Sequence, residues 1–250
     1  MKTITKVRLL NKLHLFNIAR DLLNKQREVK PQILNFFSQF IQEGDLCFDI
    51  GSNIGQFSDI FLQLNGKVVV VEPQAECTQF LKRKYKSHKN VIIINKAIDN
   101  KEGKKDLYIC EANALSSMSI DWIKTAKRMR YPEYQWDKKL MIETIRLDTL
   151  IGQFGKPKFC KIDIEGYELN ALKGLTQSIP YLSIETSPET IELTKECILY
   201  LAGLGFKLFN HSSDYIKFNL NDWLDAKSII KFIESIKDQK TIYGDLYSQS

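Results

Sequence analysis

The sequence predicts an α/β protein with a doubly wound, mostly parallel sheet and helices on both faces, a Rossmann-like architecture. Three observations carry that prediction. Short apolar runs of strand length alternate with segments of helical spacing from residue 46 to residue 218. Val68–Val71 is β-branched on both faces, as expected for an interior parallel strand. Leu46–Ile50 runs directly into a glycine turn and then a helical pattern, the strand–turn–helix entry of such sheets. With 44% hydrophobic and 26% charged residues in 250, the chain can bury one sizeable core. Collagen-like, disordered and disulfide-framed classes are excluded.

Residues 1–43 read as a helical arm. Val7, Leu10, Leu13 and Leu22–Leu23 recur at helical spacing with basic residues between them. A second helical piece follows Pro31 with Phe36, Phe37, Phe40 and Ile41, and Gly44-Asp45 ends it. The body, 44–220, predicts strands over 46–50, 67–71, 91–94, 159–164, 181–184, 206–209 and 215–218. Helices are expected over 54–64, 74–86, 166–175 and 188–203. Between 104 and 150 the alternation lapses: 106–110 and 141–147 read as strands flanking an insertion near 112–139. There Trp122, Arg128, Arg130, Tyr131 and Trp136 mix cations with flat rings. Such rings stack on sugars and Arg binds anions, so the segment holds a glycan or phosphate-bearing acceptor, or else it is an amphipathic cover for the sheet edge. Ser116, Ser117 and Ser119 precede it and are candidates to line the acceptor side. The third segment, 221–250, is a helix near 221–238 with Ile229, Ile233 and Ile236 on one face, and a tail.

The formal charge of +6 is unevenly placed. Residues 1–30 hold eight Lys/Arg against Asp21 and Glu28, which leaves residues 31–250 neutral. A body without net charge argues against a nucleic-acid partner. The amphipathic basic arm suits either peripheral contact with anionic lipid or, the favoured reading, a fold back onto the sheet as a cover. Five cysteines at least 30 residues apart have neither zinc-ligand nor disulfide spacing, and buried reduced thiols are expected. No apolar run nears the roughly 20 residues of a spanning helix, and Lys12, His14, Asn17 and Arg20 interrupt any signal-like stretch. A cytoplasmic location is the expectation.

The first chemical constellation is Asp49-Ile-Gly51-Ser-Asn53-Ile-Gly55, between a strand and a helix. Glycine there lets a ligand approach the main chain. Asn53 stands where a pyrophosphate loop has its middle glycine, and Asp49 disfavours an anion while suiting an amine. Glu72 closes the next strand, placed to accept bonds from both ribose hydroxyls. A ribose, an ammonium and no phosphate describe S-adenosylmethionine, with Asp49, Gly51, Asn53, Gly55 and Glu72 as its expected contacts.

The strings CFDIGSNIGQFS, VVVVEP, TIRLDTL and above all KFCKIDIEGYELNALKGL resemble the FkbM family of S-adenosylmethionine-dependent methyltransferases. The similarity runs over residues 44–218 and does not cover the arm or the tail. It implies the class I methyltransferase fold, a seven-stranded sheet with one antiparallel strand. It also implies O-methylation of a hydroxyl on a small molecule, sugar or glycan precursor.

The second constellation has its own chemistry. Alternation in the 159–164 strand puts Lys161 and Asp163 on one face and Cys160 and Ile162 on the other. A Lys and an Asp in a central strand are costly unless paired or functional. Asp163 is expected near the sulfonium, with Lys161 or Glu165 positioning the acceptor hydroxyl or its proton; the alternative is a structural ion pair. His211, expected in a loop opening on the ligand side, is a further candidate base. No metal is assigned, although Asp163, Glu165 and Glu185 form a set able to gather a hard cation. No Asn/Asp-Pro-Pro-aromatic tetrapeptide and no Pro-Cys nucleophile occurs, which sets aside amino-directed DNA and cytosine C5 methylation. An RNA-directed enzyme using the arm as its grip, and a non-catalytic cofactor-binding module, are the competing functions.

Overall fold

The computed structural model describes residues 29–250. Seven strands form one sheet: β1 (Leu46–Ile50), β2 (Lys67–Val71), β3 (Val91–Ile94), β7 (Phe159–Ile162), β8 (Tyr181–Thr186), β9 (Leu208–Ser212) and β10 (Gly244–Gln249). Their order is β3-β2-β1-β7-β8-β10-β9. β10 runs antiparallel to both neighbours, and the other pairs are parallel. A separate sheet, β4-β6-β5, joins β4 (Ala97–Ile98), β5 (Gly103–Ile109) and β6 (Lys138–Ile145). This is the expected class I arrangement, and strands 46–50, 67–71 and 91–94 stand at the expected residues.

Each face of the large sheet is covered because strand periodicity sorts the side chains. On one face Cys47, Val68, Val70, Phe159 and Tyr247 pack with α1 (Pro31–Phe37) and α2 (Gln56–Gln63). Pro31 occupies the first turn of α1, where its missing N–H costs nothing. Phe36, Phe37, Phe40 and Ile41 are buried there, so this stretch of the arm is a cover on the sheet. The basic arm over 1–28 lies outside the described residues. On the other face Phe48, Ile50, Cys160, Ile162, Leu182, Ile184 and Leu246 form the larger core. It is closed by α5 (Leu147–Phe154), α6 (Glu168–Leu172), α7 (Ile191–Gly203) and α8 (Ala226–Ile236). α3 (Ala75–Lys84) follows β2, and α4 (Ile120–Met129) lies in the insertion.

One element differs from expectation. Residues 215–218 form no strand: Tyr215 has a left-handed backbone (φ 59°), and Ser212 Oγ donates to the Lys217 carbonyl at 2.7 Å across a loop. The antiparallel strand comes instead from the tail, as β10. Gly-Asp-Leu-Tyr-Ser-Gln offers only two adjacent apolar residues, too few to show an alternation. The segment 221–250, expected as an appended helix and tail, therefore supplies a strand inside the sheet. All five cysteines are buried and none is in a disulfide, as expected. Among the described residues no helix is long and apolar enough to cross a membrane.

Candidate active site

A cleft opens at the C-terminal ends of β1, β2 and β7, where open α/β sheets bind ligands. Its floor is the β1–α2 turn. Gly51, Asn53 and Gly55 all have left-handed backbones, with φ of 78°, 50° and 77°. At Gly51 the requirement is absolute, since a Cβ would lie 1.8 Å from the Asp163 carbonyl oxygen. Glu72 clamps the turn: one carboxylate oxygen accepts from Asn53 N at 2.9 Å and the other from Gln74 N at 2.8 Å. The carboxylate is nearly buried in the cleft wall. Beside it Ser52 Oγ and Asn53 Oδ1 are buried without a protein hydrogen-bond partner. Orphaned polar atoms facing a cleft are the signature of a bound polar ligand. Glu72, these two atoms and a glycine-only turn fit the ribose and amino-acid portions of S-adenosylmethionine.

Two expected contacts lie elsewhere. Asp49 is buried outside the cleft wall, accepting from Ser58 N (2.8 Å) and Ser58 Oγ (2.5 Å). It pins β1 to α2, and burial pushes its carboxyl up to about 6. Gly55 also lies outside the cleft wall: its carbonyl accepts from Tyr85 Oη at 2.9 Å, and a Cβ would meet that hydroxyl. Both organise the turn and do not line the cleft.

Of the far wall only Ser116 and Ser117 were legible in the sequence, and both line the cleft. Gln74 and Asn113 bond reciprocally, Gln74 Nε2 to the Asn113 carbonyl at 3.0 Å and Asn113 Nδ2 to Gln74 Oε1 at 3.1 Å. Ser116 Oγ donates to the same Gln74 oxygen at 3.3 Å. Ala97, Ile98, Leu107 and Met118 give this end an apolar lining suited to a flat base. The serines divide their work: Ser117 Oγ donates to the Glu165 carbonyl at 2.7 Å, and Ser119 caps α4.

Opposite lies the acidic wall. Asp163 and Glu165 line the cleft, and ligand oxygens of Asp163, Glu165 and Glu185 lie within 4.8 Å of one another. Burial first, and then the Asp163 charge, hold Glu165 and Glu185 well above the usual carboxylate range. Glu165 sits in a left-handed conformation (φ 53°), uncommon for a non-glycine residue and typical of functional turns. Glu168 supports it: Oε1 accepts from Ile164 N (3.1 Å) and Gly166 N (3.3 Å), and burial pushes this acid up to about 7. The trio is also a donor set for a hard cation.

Lys161 does not reach the cleft. Its ammonium is fully buried, 2.9 Å from Asp245 on β10 and 3.5 Å from Asp163, so direct contact with an acceptor is corrected to an ion pair beneath the wall. His211 is corrected too. It lies within β9, fully buried, its Nε2 2.8 Å from Thr186 Oγ1, and it does not line the cleft. Burial lowers it to about 4, and no loop opens it to a ligand. In the insertion, Trp122 packs against Gly166, where a Cβ would lie 2.3 Å from the Trp122 Cγ, and Trp136 Nε1 donates to the Leu115 carbonyl at 2.7 Å. Trp122 braces the acidic turn and Trp136 holds Trp122 edge-on, which favours the cover reading. Arg130 remains exposed, its guanidinium 4.4 Å from the Tyr243 ring and 4.9 Å from the Tyr131 ring.

The sequence model of the family described as "Methyltransferase FkbM domain" matches residues 49–208. A hexuronic acid methyltransferase, AglP of Haloferax volcanii, is 26% identical over 172 residues, which is 66% of this chain and 64% of that protein. The chain thus spans just under two thirds of that relative's length. Among solved structures, a precorrin-6y C5,15-methyltransferase from Geobacter metallireducens aligns over 90% of this chain and 92% of its own, with TM-score 0.45 and 12% identity. A TehB-like methyltransferase from Corynebacterium glutamicum aligns over 92% and 91%, with TM-score 0.47 and 8% identity.

Proposed function

The chain belongs to the FkbM methyltransferase family, and from that premise we propose that it transfers a methyl group to a hydroxyl oxygen of a sugar or glycan precursor. The cofactor, S-adenosylmethionine, supplies an electrophilic methyl on a sulfonium centre. Glu72 holds the ribose, Ser52 Oγ and Asn53 Oδ1 take the polar groups near the turn, and Ile98, Leu107 and Met118 wall the base. Alignment of the acceptor and exclusion of water contribute much of the rate in such a site.

The observation that carries the acceptor reading is the carboxylate trio. Oxygens of the three lie within 4.8 Å of one another, and burial with the neighbouring charge raises Glu165 and Glu185, which gives the cluster the basicity to take up a proton beside the cleft. Glu165, made more basic by burial and the Asp163 charge and lining the cleft, receives the hydroxyl proton in its ionised form; Asp163 faces the sulfonium. An acidic wall suits a neutral hydroxyl and repels a polyanion, which favours a sugar over RNA. The relative's hexuronic acid acceptor supports a sugar, and exposed Arg130 offers a partner for an acidic one. Membrane-linked precursors fall within this proposal, with the basic residues of 1–28 adding attraction to anionic lipid.

The test is transfer of labelled methyl to methyl glucuronide, methyl glucoside and cell glycan extracts. Glu165→Gln is expected to lower kcat by about 10²–10⁴-fold while calorimetric affinity for S-adenosylmethionine stays unchanged. Absence of cofactor binding, or full activity in Glu165→Gln, overturns the proposal.

A further inference from the structure

Asp245 lies beyond the residues matched by the family model, in the strand that sequence patterning misses. It is fully buried and meets the Lys161 ammonium with both oxygens, Oδ1 at 2.9 Å and Oδ2 at 2.9 Å. Tyr215 Oη donates to Oδ1 at 3.1 Å. The pairing register explains the meeting. Asp245 stands opposite Glu185 on β8, while Lys161 stands opposite Ser183, two residues earlier on the same face of the same strand. The ammonium therefore rises diagonally toward Asp245 and toward Asp163, at 2.9 and 3.5 Å. It also lies 5.0 Å from the Phe57 ring, so no water replaces a lost partner cheaply.

The asymmetry of those two distances has a chemical consequence. A buried ammonium needs one neutralising carboxylate at short range. Asp245 fills that need and leaves Asp163, whose side chain is 31% exposed, free to face the cleft. Without Asp245 the same ammonium has Asp163 as its nearest acid, and the strongest charge-assisted bond available to it runs away from the cleft.

We propose that Asp245 is a positioning residue for methyl transfer: by occupying Lys161 it keeps the Asp163 carboxylate at the cleft wall. This rests on the reading of Asp163 as a group that faces the reacting atoms. It predicts that a residue far along the chain sets kcat without touching cofactor or acceptor.

The experiment compares Asp245→Asn, the double variant Lys161→Met/Asp245→Leu, and Asp163→Asn, with methyl glucuronide and labelled cofactor as probes. In a crystal structure of Asp245→Asn, the Lys161–Asp163 separation is expected to fall from 3.5 Å to below about 3 Å. Its kcat is expected to fall about tenfold or more, with cofactor affinity and acceptor KM within about twofold. An apolar pair of similar volume often replaces a buried ion pair without loss of stability. The double variant, which removes the ammonium together with its partner, is therefore expected to keep its melting temperature and to recover kcat to within about twofold of the parent. A stable double variant as slow as Asp245→Asn, or an unchanged Lys161–Asp163 separation in Asp245→Asn, overturns the inference. Full activity in Asp163→Asn overturns the reading of Asp163 itself and the inference with it. Loss in Asp163→Asn with parental kcat in Asp245→Asn removes the positioning role alone.

Discussion

Single atoms decide whether the β1–α2 turn can hold a ligand. Gly51→Ala places a methyl 1.8 Å from the Asp163 carbonyl, so the turn must move away from β7. That variant is expected to lose cofactor binding by calorimetry, and retained affinity would show that the turn is softer than its geometry. His211 makes a second residue-scale test. It is buried with Nδ1 unpartnered, and its folded value, about 4, lies below the ordinary 6.5. Because the unfolded chain binds the proton more readily, stability is present above pH 6.5 and is lost as pH falls toward 4. The loss approaches roughly 3 kcal/mol at the acid end. Asp49 and Glu168 act in the opposite sense: burial raises both, and their contribution is lost as pH rises through about 6 and about 7. His211→Gln is therefore expected to show a shallower fall in melting temperature between pH 7 and pH 4 than the parent protein. Parallel curves would remove the histidine from the acid response.

At the scale of elements, the fold depends on pieces from both ends of the described chain. Phe37 is fully buried, with edge-on contacts to Phe36, Phe57, Phe61 and Phe159 at centroid separations of 5.4–5.9 Å. Phe37→Ala is expected to destabilise by about 3–5 kcal/mol, read by denaturant unfolding. Below about 1 kcal/mol, the helix would be an ornament on the sheet. The same elements show what a sequence reveals. Val68–Val71 and Leu46–Ile50 were legible because a buried parallel strand concentrates apolar residues into one short run. β10 was not, because it buries Asp245 and Ser248 beside Leu246 and Tyr247, and its polar members are satisfied only by distant partners. The strand expected over 215–218 failed for the converse reason: Tyr215 and Phe218 join the aromatic cluster from a loop, so apolar content there reports burial without a strand. Site residues divide the same way. Glu72, Asp163 and Glu165 follow strands or turns visible in the sequence. Gln74 and Asn113 meet across 39 positions, a pairing no local pattern encodes.

Across the whole molecule, charge and chemistry are separated. Residues 1–28 carry seven Lys/Arg and two acids, while Asp163 and Glu165 wall the site with Glu185 close beside them. Among the described residues both sheet faces are already covered, the first by Phe36, Phe37, Phe40 and Ile41 and the second by α5–α8. Deletion of residues 1–28 is therefore expected to leave the melting temperature and kcat close to those of the full chain. Its effect should fall on association with negative surfaces. Attraction of basic side chains to anionic lipid is worth about 1 kcal/mol each near the surface and is screened within about 8–10 Å at physiological salt. Co-sedimentation with phosphatidylserine-containing vesicles is expected for the full chain at low salt, weaker as salt rises, and lost on deletion. Equal binding by the shortened chain would assign the contact to the neutral body. A fall in melting temperature on deletion would instead make the basic segment part of the cover that Phe36 and Phe37 begin.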